Sequence, residues 1–211
     1  MPAALVFAAA SIEPTPRLRA RLAELGPLFT VAADAGAATA LAFGITPDVV
    51  LGDFDSLDPA VLRGLNVPIE SHPRDKDATD GQLAIERALQ AAPDALYLVG
   101  FLGGPRLDHG LANILLLTRI EVATVLLDDR NECRLLRPRS EHAWQPEPSE
   151  VISLIPLTEV VQGVSTRGLR WPLHGETLQR GETRGVSNEP AGGQASVSIE
   201  DGLLLLTRHF V

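Results

Sequence analysis

The sequence predicts an α/β domain with a mostly parallel sheet, followed by a small all-β domain. In residues 1–130, short apolar runs alternate with segments of helical periodicity. Strands separated by helices form βαβ units, in which helices cover both faces of a parallel sheet. After residue 150 the apolar runs are short, lack a helical period and are separated by turns rich in Gly, Ser and Pro, as in a β-sandwich or small barrel.

Three prolines mark the boundary between the two predicted domains. Pro138, Pro146 and Pro148 lie among polar residues, a composition typical of a linker. We therefore predict an α/β domain at 1–137, a linker at 138–150 and a β-sandwich at 151–211. A unit of about 60 residues is marginal alone, so we expect it to pack on the first domain or on a partner subunit.

Strands and helices alternate through the predicted α/β domain, and two of the helices begin with a recognisable cap. Asp58 is a capping residue in front of Pro59, which suits the first helical position. Thr79 and Gln82 have the spacing of a capping box. The predicted strands are 5–9, 29–33, 49–51, 67–70, 96–99 and 122–127, and the predicted helices are 16–25, 35–43, one from Asp58, 79–91 and 109–118.

The predicted β domain contains five strands. One turn, Glu200-Asp201-Gly202, has the composition of a tight hairpin. The predicted strands are 151–157, 159–164, 168–173, 195–200 and 203–207.

Charge and cysteine content exclude several classes of protein. The chain has 27 acidic and 18 basic residues, a net charge of −9, which repels nucleic acid and anionic membranes. Its longest purely apolar run, 3–10, is too short to span a bilayer. Cys133 is the only cysteine, so an intramolecular disulfide and a cysteine zinc site are both excluded. We expect a protein of the reducing cytoplasm, with no nucleic-acid or membrane partner.

Four polar loops follow predicted strands, at 34–36, 52–56, 74–80 and 103–109. Right-handed crossovers bring the carboxyl ends of parallel strands to one edge of the sheet. Ligands of open α/β sheets bind at that edge. The sequence therefore predicts a binding site built from these four loops.

Four aspartates in these loops predict a magnesium site. Asp53 and Asp55 lie on the same side of an extended segment, and two close carboxylates repel unless a cation or a shared proton neutralises them. Asp77 and Asp80 share a face at a predicted helix start. Carboxylate oxygens suit Mg²⁺, which bridges phosphates. The alternative is that these acids are ordinary turn and helix-capping residues.

The loop 103–109 has the composition of a phosphate-binding loop. Gly103 and Gly104 can expose backbone N–H groups to a phosphate near a helix start. Arg106 can neutralise charge on a transferred phosphoryl group; the alternative is a surface arginine paired with Asp108. His109 is either a catalytic group or a capping or packed residue. Lys76 is the only lysine, whereas 17 basic residues are arginine, through chance or because arginine would not fit there.

Seven sequence strings resemble the thiamine pyrophosphokinase family. They occur in the family's order, cover almost the whole chain and are specific as a set although weak singly. The strings are ADAG at 33–36, PDVVLGDFDS at 47–56, KDATD at 76–80, GGPRLDH at 103–109, ISLIPL at 152–157, RGLRWPL at 167–173 and GVSNE at 185–189.

The resemblance implies an α/β catalytic domain and a β-sandwich in a homodimer. It implies transfer of a diphosphate from ATP to the hydroxyl of thiamine, with Mg²⁺, giving thiamine diphosphate and AMP. The implied catalytic and metal-binding residues are Asp53, Asp55, Asp77 and Asp80. With the loop analysis, the expected ATP-binding residues are Asp34, Lys76, Gly103, Gly104, Arg106, Asp108 and His109, and the expected thiamine-binding residues, donated by the partner subunit, are Trp171, Ser187 and Asn188.

Two residues depart from the family's pattern. Ala35 stands where the family has the first of two glycines, and Pro105 interrupts a Gly-Gly-Arg motif. Pro105 lacks a backbone donor and fixes φ, which affects the placement of Arg106.

Trp171, Ser187 and Asn188 also allow a structural interpretation. An aromatic face attracts a cationic ring such as thiazolium, but a Trp before a proline is as often a packing residue, and Ser187-Asn188 reads equally as a turn.

Three other functions remain open at this point. The first is a diphosphokinase acting on a hydroxymethyl pterin. The second is a haloacid-dehalogenase-like phosphatase that uses Asp53, Asp55, Lys76 and the pair Asp128-Asp129. The third is a thiamine sensor that binds without turnover.

Overall fold

The computed structural model describes residues 3–10, 12–55 and 57–211. The chain divides into two compact units, Met1–Asp129 and Arg130–Val211. The division falls before the predicted boundary at 137/138, because a strand at Asn131–Leu136 belongs to the second unit.

Among the residues that the structure describes, the first unit contains six strands alternating with five α-helices, the last of which is followed by a 3-10 turn at Leu117–Arg119. The predicted order of elements is confirmed. Their bounds are β1 Ala3–Phe7, α1 Pro16–Glu24, β2 Phe29–Ala33, α2 Gly36–Ala42, β3 Val49–Gly52, α3 Pro59–Gly64, β4 Ile69–Ser71, α4 Asp80–Leu89, β5 Ala95–Val99, α5 Leu107–Leu116 and β6 Ala123–Leu127.

All six strands of this unit are parallel, in the order β4-β3-β2-β1-β5-β6. The chain adds β2, β3 and β4 on one side of β1 and then returns to add β5 on the other side. The carboxyl ends of β1 and β5 therefore flank a topological switch point, where ligands of such sheets bind.

Side-chain caps begin three of the helices. The Thr15 hydroxyl accepts a hydrogen bond from the Leu18 N–H, and the Asp58 carboxylate accepts one from the Ala60 N–H. Thr79 accepts from the Gln82 N–H at 3.1 Å. The capping box is only half formed, because the Gln82 side chain donates to Glu86 instead.

The core of the first unit lies between the sheet and its helices. Phe7, Val50 and Val99 on the strands pack with Leu18 and Ala40 on the helices, all of them buried. β1, β2 and β3 are buried along almost their whole length. Such continuous apolar runs are typical of strands covered on both faces.

The second unit is a β-sandwich of two antiparallel sheets. Within this unit β7, β13 and β9 form one sheet, and β11, β10, β12 and β8 form the other. Buried side chains of both, among them Ile152, Leu206, Val161 and Val197, pack into one core. The strands are β7 Asn131–Leu136, β8 Ser140–Trp144, β9 Val151–Pro156, β10 Val160–Arg167, β11 His174–Gln179, β12 Ala195–Ile199 and β13 Leu204–His209.

The structure differs from the sequence analysis at three places in this unit. The segment 138–150 holds β8, which pairs with β12. The segment 168–173 is a loop, and the strand expected there begins at His174. Glu200-Asp201-Gly202 closes no hairpin, because it joins β12 in one sheet to β13 in the other; Asp201 instead bridges to Gln162 of β10.

Among the residues that the structure describes, no helix is both long and apolar enough to cross a membrane.

Candidate functional site

A cleft of about 910 Å³ opens at the carboxyl ends of the parallel strands. Ala8 and Gly100, which follow β1 and β5 at the switch point, line it, and so do residues of all four polar loops. The predicted residues among its walls are Asp34, Asp53, Asp55, Lys76, Asp77, Asp80, Gly103, Gly104, Arg106 and His109. Asp108 is not among the lining residues, and neither are Asp128 and Asp129, which the phosphatase hypothesis requires.

Three carboxylates meet on one side of this cleft. Asp34, Asp53 and Asp55 each offer an oxygen, and these oxygens lie within 4.8 Å of one another. Asp34 follows β2 with φ at 48°, and its N–H donates to the Leu51 carbonyl at 2.8 Å. This hydrogen bond places the buried Asp34 side chain beside the end of β3. From the sequence, Asp34 belongs to the expected ATP-binding residues and not to the expected metal ligands.

Asp53 and Asp55 come together through a tight turn and not through the extended segment expected from the sequence. Phe54, between them, has φ at 62°, a region that costs non-glycine residues energy. The Asp55 N–H donates to Asp53 Oδ1 at 3.2 Å. This turn is an Asx turn, in which the side chain of the first aspartate fixes the backbone of the second.

Lys76 joins two of the predicted carboxylates. Its Nζ lies 3.1 Å from Asp53 Oδ2 and 3.2 Å from Asp80 Oδ1, and it also donates to the Pro73 carbonyl at 3.0 Å. The Lys76 side chain is only 14% exposed. Asp80 is the first residue of α4 and is held by this ion pair. Asp77 is an exposed wall residue outside the three-carboxylate group.

These contacts shift two pKa values. The Asp55 backbone N–H, and then the Lys76 ammonium, lower the pKa of Asp53 below its ordinary value. Burial opposes the charge of Lys76, but its contacts with the carboxylates of Asp53 and Asp80 outweigh that effect and raise its pKa. Both groups are therefore held in their charged forms at neutral pH.

The glycine-rich loop between β5 and α5 forms another wall. Gly103 and Gly104 both have positive φ, at 73° and 77°, so the loop depends on glycine at both positions. Arg106 precedes α5 and donates to Asp108 from Nε at 2.9 Å and from Nη2 at 2.5 Å. The guanidinium lowers the pKa of Asp108 to about 2, and Asp108 raises that of Arg106.

Asn113 is a cleft residue that the sequence analysis missed. It lies on α5, lines the cleft and donates from Nδ2 to the Phe101 carbonyl at 2.8 Å. The helix period places it two turns after Arg106, on the side that also carries His109. That spacing could have identified it once the start of α5 was known.

A second pocket, of about 400 Å³, lies in the second unit. Trp171, Ser187 and Asn188, the three residues expected to bind thiamine, all line it, together with Arg184 and Val186. The Trp171 side chain is 52% exposed. Ser187 has φ at 62°, so a strained backbone recurs at this site.

The cleft lies at the switch point of a parallel sheet and is lined by carboxylates, one lysine and a glycine loop. Such a site is suited to a ligand that carries phosphate groups. The chain belongs to the thiamine pyrophosphokinase family. Residues 27–126 match the family model for the thiamin pyrophosphokinase catalytic domain, and residues 138–204 match the model for its vitamin B1 binding domain.

Curated relatives give the same assignment. A thiamine pyrophosphokinase of Bacillus subtilis is 30% identical over 184 residues, which are 84% of this chain and 86% of the relative. Thiamine pyrophosphokinase 1 of Oryza sativa is 33% identical over 157 residues, 67% of this chain and 58% of the relative.

Solved structures share the fold. The crystal structure of thiamine pyrophosphokinase from Bacillus subtilis has a TM-score of 0.86 at 27% identity, over 99% of both chains. That of thiamin pyrophosphokinase from Geobacillus thermodenitrificans has a TM-score of 0.84 at 25% identity, over 100% of this chain and 98% of the other.

Proposed function

We propose that the chain transfers a diphosphate group from ATP to the hydroxyl of thiamine, giving thiamine diphosphate and AMP. The observation that carries the proposal is the group of three carboxylates, Asp34, Asp53 and Asp55, in a cleft that also presents Lys76 and a glycine loop. The relatives named above are thiamine pyrophosphokinases, and the second unit offers an aromatic pocket of its own.

The carboxylate group fits Mg²⁺. Three carboxylate oxygens within 4.8 Å of one another, with no histidine or cysteine in the group, form a donor set of hard oxygen ligands. Asp34, Asp53 and Asp55 would hold the ion. Asp77 and Asp80 remain proposed ligands, since both line the same cleft. When bound, Mg²⁺ neutralises phosphate charge and orients the phosphates of ATP.

The chain's own cations and donors complete the ATP site. Lys76 carries a fixed positive charge against Asp53 and Asp80. Gly103 and Gly104 expose backbone at the start of α5. Arg106 uses Nε and Nη2 on Asp108 and keeps donors on Nη1 for a phosphate oxygen. Together these groups offset the negative charge that spreads onto the transferred diphosphate.

The thiamine side of the proposal belongs to the second unit. A thiazolium is cationic, and the exposed indole of Trp171 offers it a π face. Transfer requires the thiamine hydroxyl to attack the β-phosphorus in line as AMP leaves; one of the cleft aspartates accepts the hydroxyl proton. We propose that the chain acts as a homodimer in which each subunit's pocket serves its partner's cleft. A cytoplasmic location stays a prediction from the sequence.

A product assay tests the function directly. The purified protein is incubated with ATP, Mg²⁺ and thiamine, and the products are separated by chromatography. We expect AMP and thiamine diphosphate in equal amounts, both abolished by EDTA. AMP without a thiamine product would indicate a different alcohol such as a hydroxymethyl pterin. Inorganic phosphate alone would indicate a phosphatase, and tight thiamine binding without turnover would indicate a sensor.

A further inference from the structure

Trp171 is an exposed aromatic residue whose backbone is held on both sides by one amide. Asn188 Oδ1 accepts the Trp171 N–H at 3.1 Å, and Asn188 Nδ2 donates to the Trp171 carbonyl at 2.7 Å. Asn188 Oδ1 also accepts the Glu189 N–H at 2.9 Å. A carboxamide has two acceptor sites and two N–H donors, so a single N–H of Asn188 is left for a ligand.

The indole ring of Trp171 has a second partner in Arg170. The guanidinium carbon of Arg170 lies 4.8 Å from the centroid of the indole. Arg170 Nη1 donates to Glu189 Oε2 at 2.7 Å, and the Arg170 N–H donates to the Glu189 carbonyl at 2.8 Å. A planar guanidinium stacks well on an aromatic face.

We infer that Arg170 and Glu189 are positioning residues for thiamine. Arg170 covers one face of the Trp171 indole, so a ligand ring stacks on the opposite face only. Glu189 holds Arg170 in place and neutralises it. An unpaired guanidinium beside the indole would repel a cationic thiazolium, whereas the ion pair presents no net charge to it. The inference rests on the proposed function and extends it to two residues outside the thiamine-binding set predicted from the sequence.

The positioning role and a purely electrostatic role of Arg170 predict opposite results. Arg170→Met removes a cation and leaves Glu189 unpaired, which favours a cationic ligand by charge alone. If Arg170 positions the indole, the same change weakens thiamine binding in spite of the more favourable charge. The double variant R170M/E189Q removes both charges at once and keeps the net charge of the pair at zero.

Steady-state kinetics of the double variant with thiamine and ATP test the inference. We expect the KM for thiamine to rise about threefold to fivefold, because an exposed cation–π contact such as that between Arg170 and Trp171 contributes a factor of this size to holding the indole in place, while kcat and the KM for ATP stay unchanged. An uncharged analogue, with a thiophene in place of the thiazolium, should lose affinity by the same factor, because the variant changes ring placement and not charge. The single variant E189Q leaves the Arg170 guanidinium unpaired. It should therefore weaken the binding of cationic thiamine more than the binding of the uncharged analogue.

Tryptophan fluorescence supplies a readout independent of turnover. Trp144 is buried, at 7% exposure, whereas Trp171 is 52% exposed, so acrylamide quenching reports on Trp171. In R170M/E189Q the quenching constant should rise, because the covered face of the indole opens. Bound thiamine should lower the quenching constant in both the unaltered protein and the variant. The variant should need higher thiamine concentrations for this, as its raised KM predicts.

The first unit contains a matched control. Arg87 pairs with Glu70 at 2.8 Å and lies 5.6 Å from the ring centroid of Phe29, the same arrangement outside both pockets. R87M/E70Q should leave the KM for thiamine unchanged. An unchanged KM and unchanged quenching in R170M/E189Q would overturn the inference. If the unaltered protein made no thiamine diphosphate at all, the proposed function itself would fail, which is a different result.

Discussion

Lys76 occupies a place that suits an ammonium group better than a guanidinium. An ammonium is a compact charge with three N–H donors; Nζ of Lys76 donates to Asp53 and to the Pro73 carbonyl and forms an ion pair with Asp80 at 3.2 Å. Arginine would carry its donors in a planar fork further along the side chain. The geometry therefore gives a physical reason why the only lysine of an arginine-rich chain stands here.

Substitution of Lys76 should change both the rate and its pH dependence. Lys76→Arg keeps the charge and should lower kcat about tenfold, because the fork cannot reproduce the three contacts. Lys76→Met should lower kcat further. Since Lys76 helps to hold the pKa of Asp53 below its ordinary value, the acid limb of the kcat/KM profile should move to higher pH in Lys76→Met. An acid limb that stays in place would contradict the assigned contact.

Asp53→Asn should separate chemistry from folding. The amide oxygen can still accept the Asp55 N–H that forms the turn, but the charge that faces Lys76 and the proposed Mg²⁺ is lost. Turnover should fall about 100-fold or more, while the midpoint of thermal unfolding stays close to that of the unaltered chain. Near-normal turnover with Mg²⁺ would exclude the role given to Asp53.

Ala35 departs from the family's pattern without straining the backbone. Its φ of −58° lies in the ordinary right-handed region, which any residue adopts. The next residue, Gly36, is the one that cannot change, because an added Cβ would collide with the Phe7 carbonyl oxygen. The backbone conformation at position 35 therefore does not require the glycine that the family's motif has there.

At the scale of helices and strands, the cap of α4 links stability to the site. Thr79 caps the helix whose first residue is Asp80, and the cap is a single hydrogen bond to Gln82. Thr79→Ala should lower the free energy of unfolding by about 1 kcal/mol, measured by urea titration. Thr79→Ser, which keeps the hydroxyl, is the matched control. Equal losses in both variants would mean that the methyl group and not the cap is responsible.

Local patterns predicted the first unit well and the second unit less well. Each capped, amphipathic helix and each continuous apolar strand of the first unit can be predicted from its own residues alone. Strand β2, Phe29–Ala33, is an example. Strand β8, Ser140–Trp144, is polar apart from Ala143 and Trp144 and is flanked by prolines. Its strand conformation comes from pairing with β12, some fifty residues later in the chain, which no local pattern contains.

In the candidate site, too, local spacing predicted some features, whereas contacts between distant segments determined others. Sequence spacing brought Asp53 and Asp55 together, but through the wrong backbone conformation, because nothing in the sequence announces a positive φ at Phe54. Asp34 joins them through a contact between the ends of neighbouring strands. Of the four acids predicted to bind metal, Asp53 and Asp80 both form ion pairs with Lys76, and the metal role of all four stays a prediction.

At the scale of the whole molecule, the proposed homodimer makes a prediction that a single-subunit site does not. Asp53→Asn damages the cleft, and Trp171→Ala damages the pocket of the second unit. If each active site combines the two from different subunits, a mixed dimer of these variants has one undamaged site. Random mixing of the two inactive proteins should then restore about a quarter of the activity. The assay requires subunit exchange, which co-expression with two affinity tags provides.

Mixing that restores no activity, with mixed dimers isolated through both tags, would contradict the shared site. A mixture of Asp53→Asn with Lys76→Met, which both damage the cleft, is the control. It should stay inactive in every mixed dimer, because neither subunit contributes an intact cleft.

The solitary lysine also determines how these 211 residues respond to chemical labelling. Apart from the terminal α-amine, the only amine is that of Lys76, which lies on the wall of the cleft, partly buried, hydrogen-bonded to Asp53 and Pro73 and ion-paired with Asp80. An amine-directed reagent therefore has a single side-chain target in this chain. Because its two carboxylate partners raise the pKa of Lys76, little of it is the neutral, nucleophilic amine at neutral pH. We therefore expect Lys76 to react slowly with such reagents at neutral pH and faster as the pH rises.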